Sequence, residues 1–178
     1  MKEVTIEITQ FCPYGDCDYC SSNASLDGEH LPKKLILETL ENFEDPIEIL
    51  NISGGEPMFH PNIGEILWQG RKKAKKVRLY TNMIDIILYN TDKVKDIEVE
   101  ANVCAVGGRN IYLPKPIINV KTHLLKLVHQ GRAKDLPEQD IVVSRNFWDI
   151  SHCDECDHIL LQADGRVVKA PCLKEYSP

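Results

Sequence analysis

The 178-residue chain has no apolar run approaching the roughly 18 residues of a membrane-spanning helix. Its opening lacks the charged and then apolar order of an export signal, because the alternation Val4, Ile6, Ile8 begins almost at once. It also lacks net positive charge. A formal charge of -6 and a pI near 5.5 argue against nonspecific nucleic-acid binding, although a local basic patch leaves structured RNA open as a partner. No internal repeat, low-complexity tract or disordered linker interrupts the chain. Its length excludes two large domains, and 43% apolar composition is enough for one core. The expectation is a cytoplasmic protein with no membrane contact.

Cysteine, by contrast, is plentiful. Seven cysteines in a chain without an export signal read as metal ligands or reactive thiols rather than as a disulfide framework. They divide into Cys12/Cys17/Cys20, Cys104, and Cys153/Cys156/Cys172. Three thiolates crowded into residues 12–20 can grip one iron-sulfur cluster and leave a metal corner open for a small molecule. Further on, the chain reads Ser53-Gly54-Gly55-Glu56-Pro57. A Gly-Gly turn leaves backbone N–H groups available and Glu56 adds an acceptor, a pair suited to a ligand carrying an amine and a carboxylate.

Periodicity alternates between two and about 3.6 residues. Strands are expected over 3–9, 47–53, 77–82 and 97–103, with weaker ones over 117–120 and 140–144. Helices are expected over 32–43, where Leu35, Ile36, Leu40 and Phe43 share a face, over 62–73 and over 123–129. Residues 83–89 form a short helix or an irregular crossover, and 159–162 with 167–169 form a hairpin about Asp164-Gly165. Alternating strands and helices imply parallel pairing. Val4/Ile6/Ile8 against Thr5/Glu7/Thr9, and Ile97/Val99/Ala101 against Glu98/Glu100/Asn102, leave one face of each strand polar. Helices must cover the apolar face, so the polar face should line a wet cavity. The expected fold is therefore α/β, a partial, open (βα) barrel of parallel strands over 1–150, with a small cysteine-bearing β-hairpin extension over 151–178.

Taken alone, Cys12/Cys17/Cys20 also fits a zinc ribbon completed by His30 or His60. The Gly-Gly-Glu-Pro segment at the end of the next strand favours the cluster, since both motifs then lie at the carboxyl ends of adjacent strands. At these residues the sequence resembles the radical S-adenosylmethionine (SAM) enzymes, whose CxxxCxxC loop follows the first strand and whose Gly-Gly-Glu-Pro segment follows the second. Tyr19 occupies the aromatic position before the last cysteine. Cys12 and Cys17 are separated by four residues instead of three, and Gly15 lies in the widened loop.

The resemblance implies an enzyme in which Cys12, Cys17 and Cys20 ligate a 4Fe-4S cluster whose unique iron binds SAM. It implies that Gly54, Gly55 and Glu56 hold the SAM amino group through backbone and side-chain oxygens, that Pro57 belongs to the same cofactor-binding motif, and that Tyr19 lies against the adenine. Reductive cleavage to a 5'-deoxyadenosyl radical, and hydrogen abstraction from a substrate, would follow, with an external electron donor such as a flavodoxin or ferredoxin. Tyr80, Thr81, Asn82 and Glu100, at or near the ends of the third and fourth strands, are candidates to contact cofactor or substrate. The competing assignment is a noncatalytic iron-sulfur electron-transfer or zinc-binding protein, which has no use for an amino-acid-binding turn.

Cys153, Cys156 and Cys172 bracket the expected hairpin, with His152 and His158 beside the pair. They fit either a Cys3His structural zinc site or a second 4Fe-4S cluster. Residues 158–173 resemble the C-terminal cluster hairpin of the enzyme that rearranges GTP in molybdenum-cofactor biosynthesis, although basic residues for a triphosphate have no clear counterparts. Cys104 reads as a buried thiol, a fourth auxiliary-cluster ligand or a hydrogen donor. The run 71–76, Arg-Lys-Lys-Ala-Lys-Lys, reads as a solvated helix end, with RNA or an acidic protein as the alternative. So short a chain has little material for a lid. A radical site must nevertheless exclude water, which favours a peptide, protein or structured RNA as substrate over a free metabolite.

Overall fold

The computed structural model describes residues 2–15, 17, 20, 22–81, 98–101, 123–126, 140–143 and 158–169. In chain order these form β1 (Glu3–Glu7), α1 (Lys33–Glu41), β2 (Ile47–Ser53), a 3-10 turn (Pro57–Phe59), α2 (Ile63–Lys73), β3 (Ala74–Thr81), β4 (Glu98–Ala101), β5 (His123–Lys126), β6 (Asp140–Val143), β7 (Ile159–Leu161) and β8 (Val167–Lys169). Six strands make one sheet in the order β4-β3-β2-β1-β7-β8. All its pairings are parallel except the terminal β7-β8 hairpin. Parallel β1, β2, β3 and β4 appear side by side in chain order, and α1 and α2 serve as crossovers. This mostly parallel α/β sheet is consistent with the open, partial (βα) barrel that the alternation of periods implies.

Register explains the layering. β1 and β2 pair Val4 with Leu50 and Ile6 with Ile52, and β2 and β3 pair Leu50 with Val77 and Ile52 with Leu79. Those residues form a continuous apolar face that packs with Ile36 and Leu40 of α1 and Ile63, Ile66 and Leu67 of α2. On the opposite face the rows are Thr5, Asn51 and Arg78, then Glu7 and Ser53. Thr5, Asn51, Ser53 and Tyr80 are buried there, and Asn51 bonds to Thr5 on one side and Tyr80 on the other. Asn51 Nδ2 donates to Glu3 Oε1 at 2.6 Å and to Thr5 Oγ1 at 3.1 Å, and His158 Nε2 lies 2.7 Å from Thr5 Oγ1. The polar face thus carries a hydrogen-bonded network of buried side chains.

Four local expectations change. Leu35 is exposed, because the buried stripe of α1 is the Ile36/Leu40 pair one turn apart, and Leu35 turns outward toward the Gly165 turn. β3 starts at Ala74, three residues before the apolar pattern begins, since Ala74 and Lys76 pair with Ile47 and Ile49 and Lys75 Nζ reaches Glu48 Oε1 at 2.5 Å. The basic run is accordingly half helix and half strand. His123–Lys126 is a strand, antiparallel to Asp140–Val143, where a helix was expected. Two adjacent leucines fit either period, and the β-branched partner segment decides. Finally, the hairpin is built onto the barrel sheet: β7 pairs in parallel with the free edge of β1, from Val4 with Ile159 to Ile6 with Leu161.

The expected elements at 83–89 and 117–120 lie outside the described residues. Among the described residues, no helix is long and apolar enough to cross a membrane. Ile52 is fully buried between β1, β3 and the helices. Replacing it with Ala should cost about 2–5 kcal/mol. The check is a urea titration in which the midpoint falls with an unchanged slope.

Candidate functional site

The site is assembled where β1 and β2 end. Beyond β1 the chain continues through Thr9 and Phe11 into the first cysteine loop, and beyond β2 it enters the Gly-Gly-Glu-Pro turn. Two backbone hydrogen bonds clasp these exits together. Gly55 N donates to Thr9 O at 2.7 Å, and Glu56 N donates to Phe11 O at 2.8 Å. This corrects the expectation that the turn offers free N–H groups to a ligand. The Gly55 and Glu56 amides are spent on holding the cysteine loop. Gly54 has φ +127°, and a Cβ there would stand 2.3 Å from Thr9 O, so only glycine permits this approach.

Glu56 is fully buried. Its Oε1 accepts from Met58 N at 3.1 Å, closing the 3-10 turn, and from Thr81 Oγ1 at 2.5 Å, at the end of β3. Pro57 occupies the first position of that turn, where its missing N–H costs nothing. The carboxylate therefore ties the exits of β2 and β3 just as the neighbouring amides tie β1 to β2. Thr81 was legible as a candidate by its place at a strand end, but its partner was not.

The cysteine loop folds back on residues 22–26. Cys12 N donates to Ser25 O at 2.9 Å, Cys20 N to Cys17 O at 3.1 Å, and Ala24 N to Cys20 Sγ at 3.4 Å. Gly15, in the widened part of the loop, packs so closely that a Cβ would lie 2.7 Å from Ser25 Cα. The extra residue is thus accommodated by backbone-to-backbone contact. Cys12, Cys17 and Cys20 form no disulfide. Burial pushes the Cys12 thiol up to about 11, with the nearby charges of Glu56, Cys20 and Cys17 adding to that effect against a backbone hydrogen bond at Tyr14. The three thiols are therefore near enough to feel one another's charge, and burial favours the protonated form of Cys12 over its thiolate.

Among the described residues, no three His, Cys, Asp or Glu side chains are close enough to share a single metal ion. Three thiols gathered in one loop are a donor set that suits an iron-sulfur cluster. His60 is also unsuited to complete a zinc site. Its Nε2 donates to Leu31 O at 3.0 Å and its Nδ1 accepts from Asn62 N at 3.1 Å, at the entry to α2. His30 Nδ1 lies 2.8 Å from Thr9 Oγ1, and its ring packs against His60 and Phe11.

Residues that the sequence did not single out include Ser22, whose hydroxyl donates to Glu7 Oε1 at 2.5 Å and fastens the loop to β1. The polar alternation of β1 marked Glu7 as inward-facing, but nothing in the sequence marked Ser22 as its partner. Glu100 lies in β4, level with Tyr80. Tyr19, Asn82, Cys104, Cys153, Cys156 and Cys172 lie outside the described residues, so the structure brings none of them to the site or away from it.

A family model described as the Radical SAM superfamily matches residues 6–107, more than half of the chain, and spans the cysteine loop, the Gly-Gly-Glu-Pro turn and the end of β3. No curated protein matches the chain significantly.

Two outcomes follow for this region. Gly54→Ala should destabilise the protein by more than about 1 kcal/mol and lower iron retention, because the new methyl group parts the two exits; denaturant midpoints and iron content after reconstitution check it. Burial holds the His60 pKa below its ordinary 6.5, with His30 acting in the same direction and the Leu31 carbonyl opposing it. The unfolded chain therefore binds the proton more readily, so this contribution to stability is complete above about pH 6.5 and is lost as pH falls through the folded value. Unfolding midpoints should drop between pH 7.5 and 5.5, with a smaller drop in His60→Gln.

Proposed function

The chain belongs to the radical SAM superfamily of enzymes, and on that premise we propose that Cys12, Cys17 and Cys20 hold a 4Fe-4S cluster beside a site for SAM. The observation that carries this reading is the clasp between the cysteine loop and the Gly-Gly-Glu-Pro turn, which sets three thiols and a buried carboxylate at the carboxyl ends of adjacent parallel strands. The Gly54 and Gly55 carbonyls, with Glu56, suit a cationic amino group. Tyr19, Pro57, Asn82 and Glu100 complete the proposed cofactor contacts on the strength of their motif positions.

Bound there, cluster and cofactor supply one-electron cleavage of the sulfonium and hydrogen abstraction from a substrate. The chain's own contribution is geometric and electrostatic. The clasp fixes the spacing of the thiols and the amino-group acceptors, Thr81 holds the Glu56 carboxyl in one orientation, and the buried floor of Thr5, Asn51 and Tyr80 keeps bulk water from below. The electron comes from an external carrier such as a flavodoxin or ferredoxin, in the reducing setting that seven cysteines suit.

Cys153, Cys156 and Cys172 are proposed to hold a second 4Fe-4S cluster or a zinc ion. Their spacing on either side of the β7-β8 hairpin supports that assignment. The proposed substrate is a peptide, a protein or structured RNA that itself helps to seal the reaction.

Replacing Cys12, Cys17 and Cys20 together with Ala should abolish 5'-deoxyadenosine formation in the anaerobically reconstituted, reduced protein, while metal at the second cysteine set persists. Iron and zinc analysis with product chromatography makes the test, and undiminished 5'-deoxyadenosine would reject the assignment.

A further inference from the structure

The described residues leave six large apolar side chains exposed, and three of them, Tyr14, Leu26 and Phe59, gather at the cysteine loop. Scattered singly they would need no explanation, but gathered they do. Phe59 sets its ring 5.3 Å from that of Phe11, centroid to centroid, and Phe11 forms a bridge with Ser25 beside Cys12. Leu26 comes next and is 61% exposed. Gly15, adjacent to Tyr14, packs on the same segment, since a Cβ there would stand 3.0 Å from Leu26 N. The three exposed side chains therefore share one region of surface beside the loop that carries the thiols.

Charge in this region has one sign. From Glu3 to Pro32 the chain has no lysine or arginine, and its acidic residues are Glu3, Glu7, Asp16, Asp18, Asp27 and Glu29. Asp27 and Glu29 are exposed and straddle Gly28, which lies so close to the cysteine segment that a Cβ would stand 2.6 Å from Phe11 N. Among the described residues neither carboxylate has an ion-pair partner. The cations that flank the segment are engaged elsewhere, Lys2 with Asp45 at 2.9 Å and Lys33 with Glu65 at 2.8 Å. The basic run is further still, because Ala74 begins β3 and Thr81 ends it at the site, about 23 Å away at the rise of a strand. An apolar surface rimmed by unpaired carboxylates fits a basic segment with apolar side chains, whereas a phosphate backbone would be repelled.

We propose that Tyr14, Leu26 and Phe59, with Asp27 and Glu29, are the docking surface for a protein substrate and engage a basic segment of it that carries apolar side chains. The inference rests on the preceding reading only in taking the docked chain to be the substrate, and it selects protein over RNA. The separation of charge along the sheet steers such a segment toward the cysteine loop and away from the basic end.

The test uses the full chain reconstituted with iron and sulfide and follows the fluorescence anisotropy of labelled probes. These are a blocked peptide of alternating lysine and leucine, one with glutamate in place of lysine, one with serine in place of leucine, and a short hairpin RNA. The lysine-leucine peptide should bind at least about tenfold tighter than any other probe, and added salt should weaken it. Leu26→Ser should weaken that binding by about tenfold, through loss of one buried apolar contact. Asp27→Asn combined with Glu29→Gln should weaken it about fivefold and remove most of its salt dependence. Both variants should melt with the parent and form 5'-deoxyadenosine without peptide as the parent does, which separates lost docking from lost folding.

Equal binding of the serine peptide, or parental binding by the Leu26→Ser protein, would overturn the inference. So would tighter binding of the hairpin RNA than of the lysine-leucine peptide, which would point to a nucleic-acid substrate. Formation of 5'-deoxyadenosine with no preference among the peptides rejects this inference alone. The expected peptide binding in a protein that forms no 5'-deoxyadenosine leaves the docking surface standing and counts against the cofactor reading.

Discussion

Two amide hydrogen bonds, from Gly55 to Thr9 and from Glu56 to Phe11, are the constraint on which the rest of the site depends. Each is worth only about 1 kcal/mol net, but leaving such amides buried and unpaired would cost more. They are possible because Gly54 has a positive φ and no side chain to hold the strands apart. Once they form, the loop carrying the thiols and the turn carrying the carboxylate cannot move independently. Thr81 then brings the end of a third strand under the same control.

This coupling also explains why the site lies at the sheet's carboxyl edge. Parallel strands deliver successive chain exits to one end, so chemistry collected from distant sequence positions becomes contiguous there. The polar floor below is similarly composite, since Asn51 alone touches Glu3 on one neighbour and Tyr80 on the other, at 3.5 Å. A floor made from three neighbouring strands resists the collapse that a single flexible polar side chain would permit.

Much of this was legible because the signals were local. The β2 strand matched residue for residue, and the cysteine spacing and Gly-Gly-Glu-Pro marked both halves of the site. What escaped was pairwise. Nothing in a single chain says that the Gly55 amide will be spent on Thr9, that Ser22 will find Glu7, or that His60 will be consumed by Leu31 and Asn62. Leu124 and Leu125 show the other limit: an apolar pair suits a helix or a strand, and the choice falls to a partner segment some fifteen residues away. The early start of β3 likewise follows from pairing with β2, where the lysines by themselves suggested a helix end.

The parallel union of β1 with β7 has a further consequence for how the molecule is made. Thr5 and His158 are 153 residues apart, so one edge of the first strand waits unpaired until β7 has emerged. At about 5–20 residues per second that interval is roughly 8–30 s, long compared with helix or hairpin formation. During it, β1 presents unpaired backbone N–H and C=O groups along that edge, the kind of template that draws other chains into association. Solubility during synthesis therefore depends on how fast the last strand arrives, and a chain truncated before β7 would keep that edge permanently exposed to its neighbours.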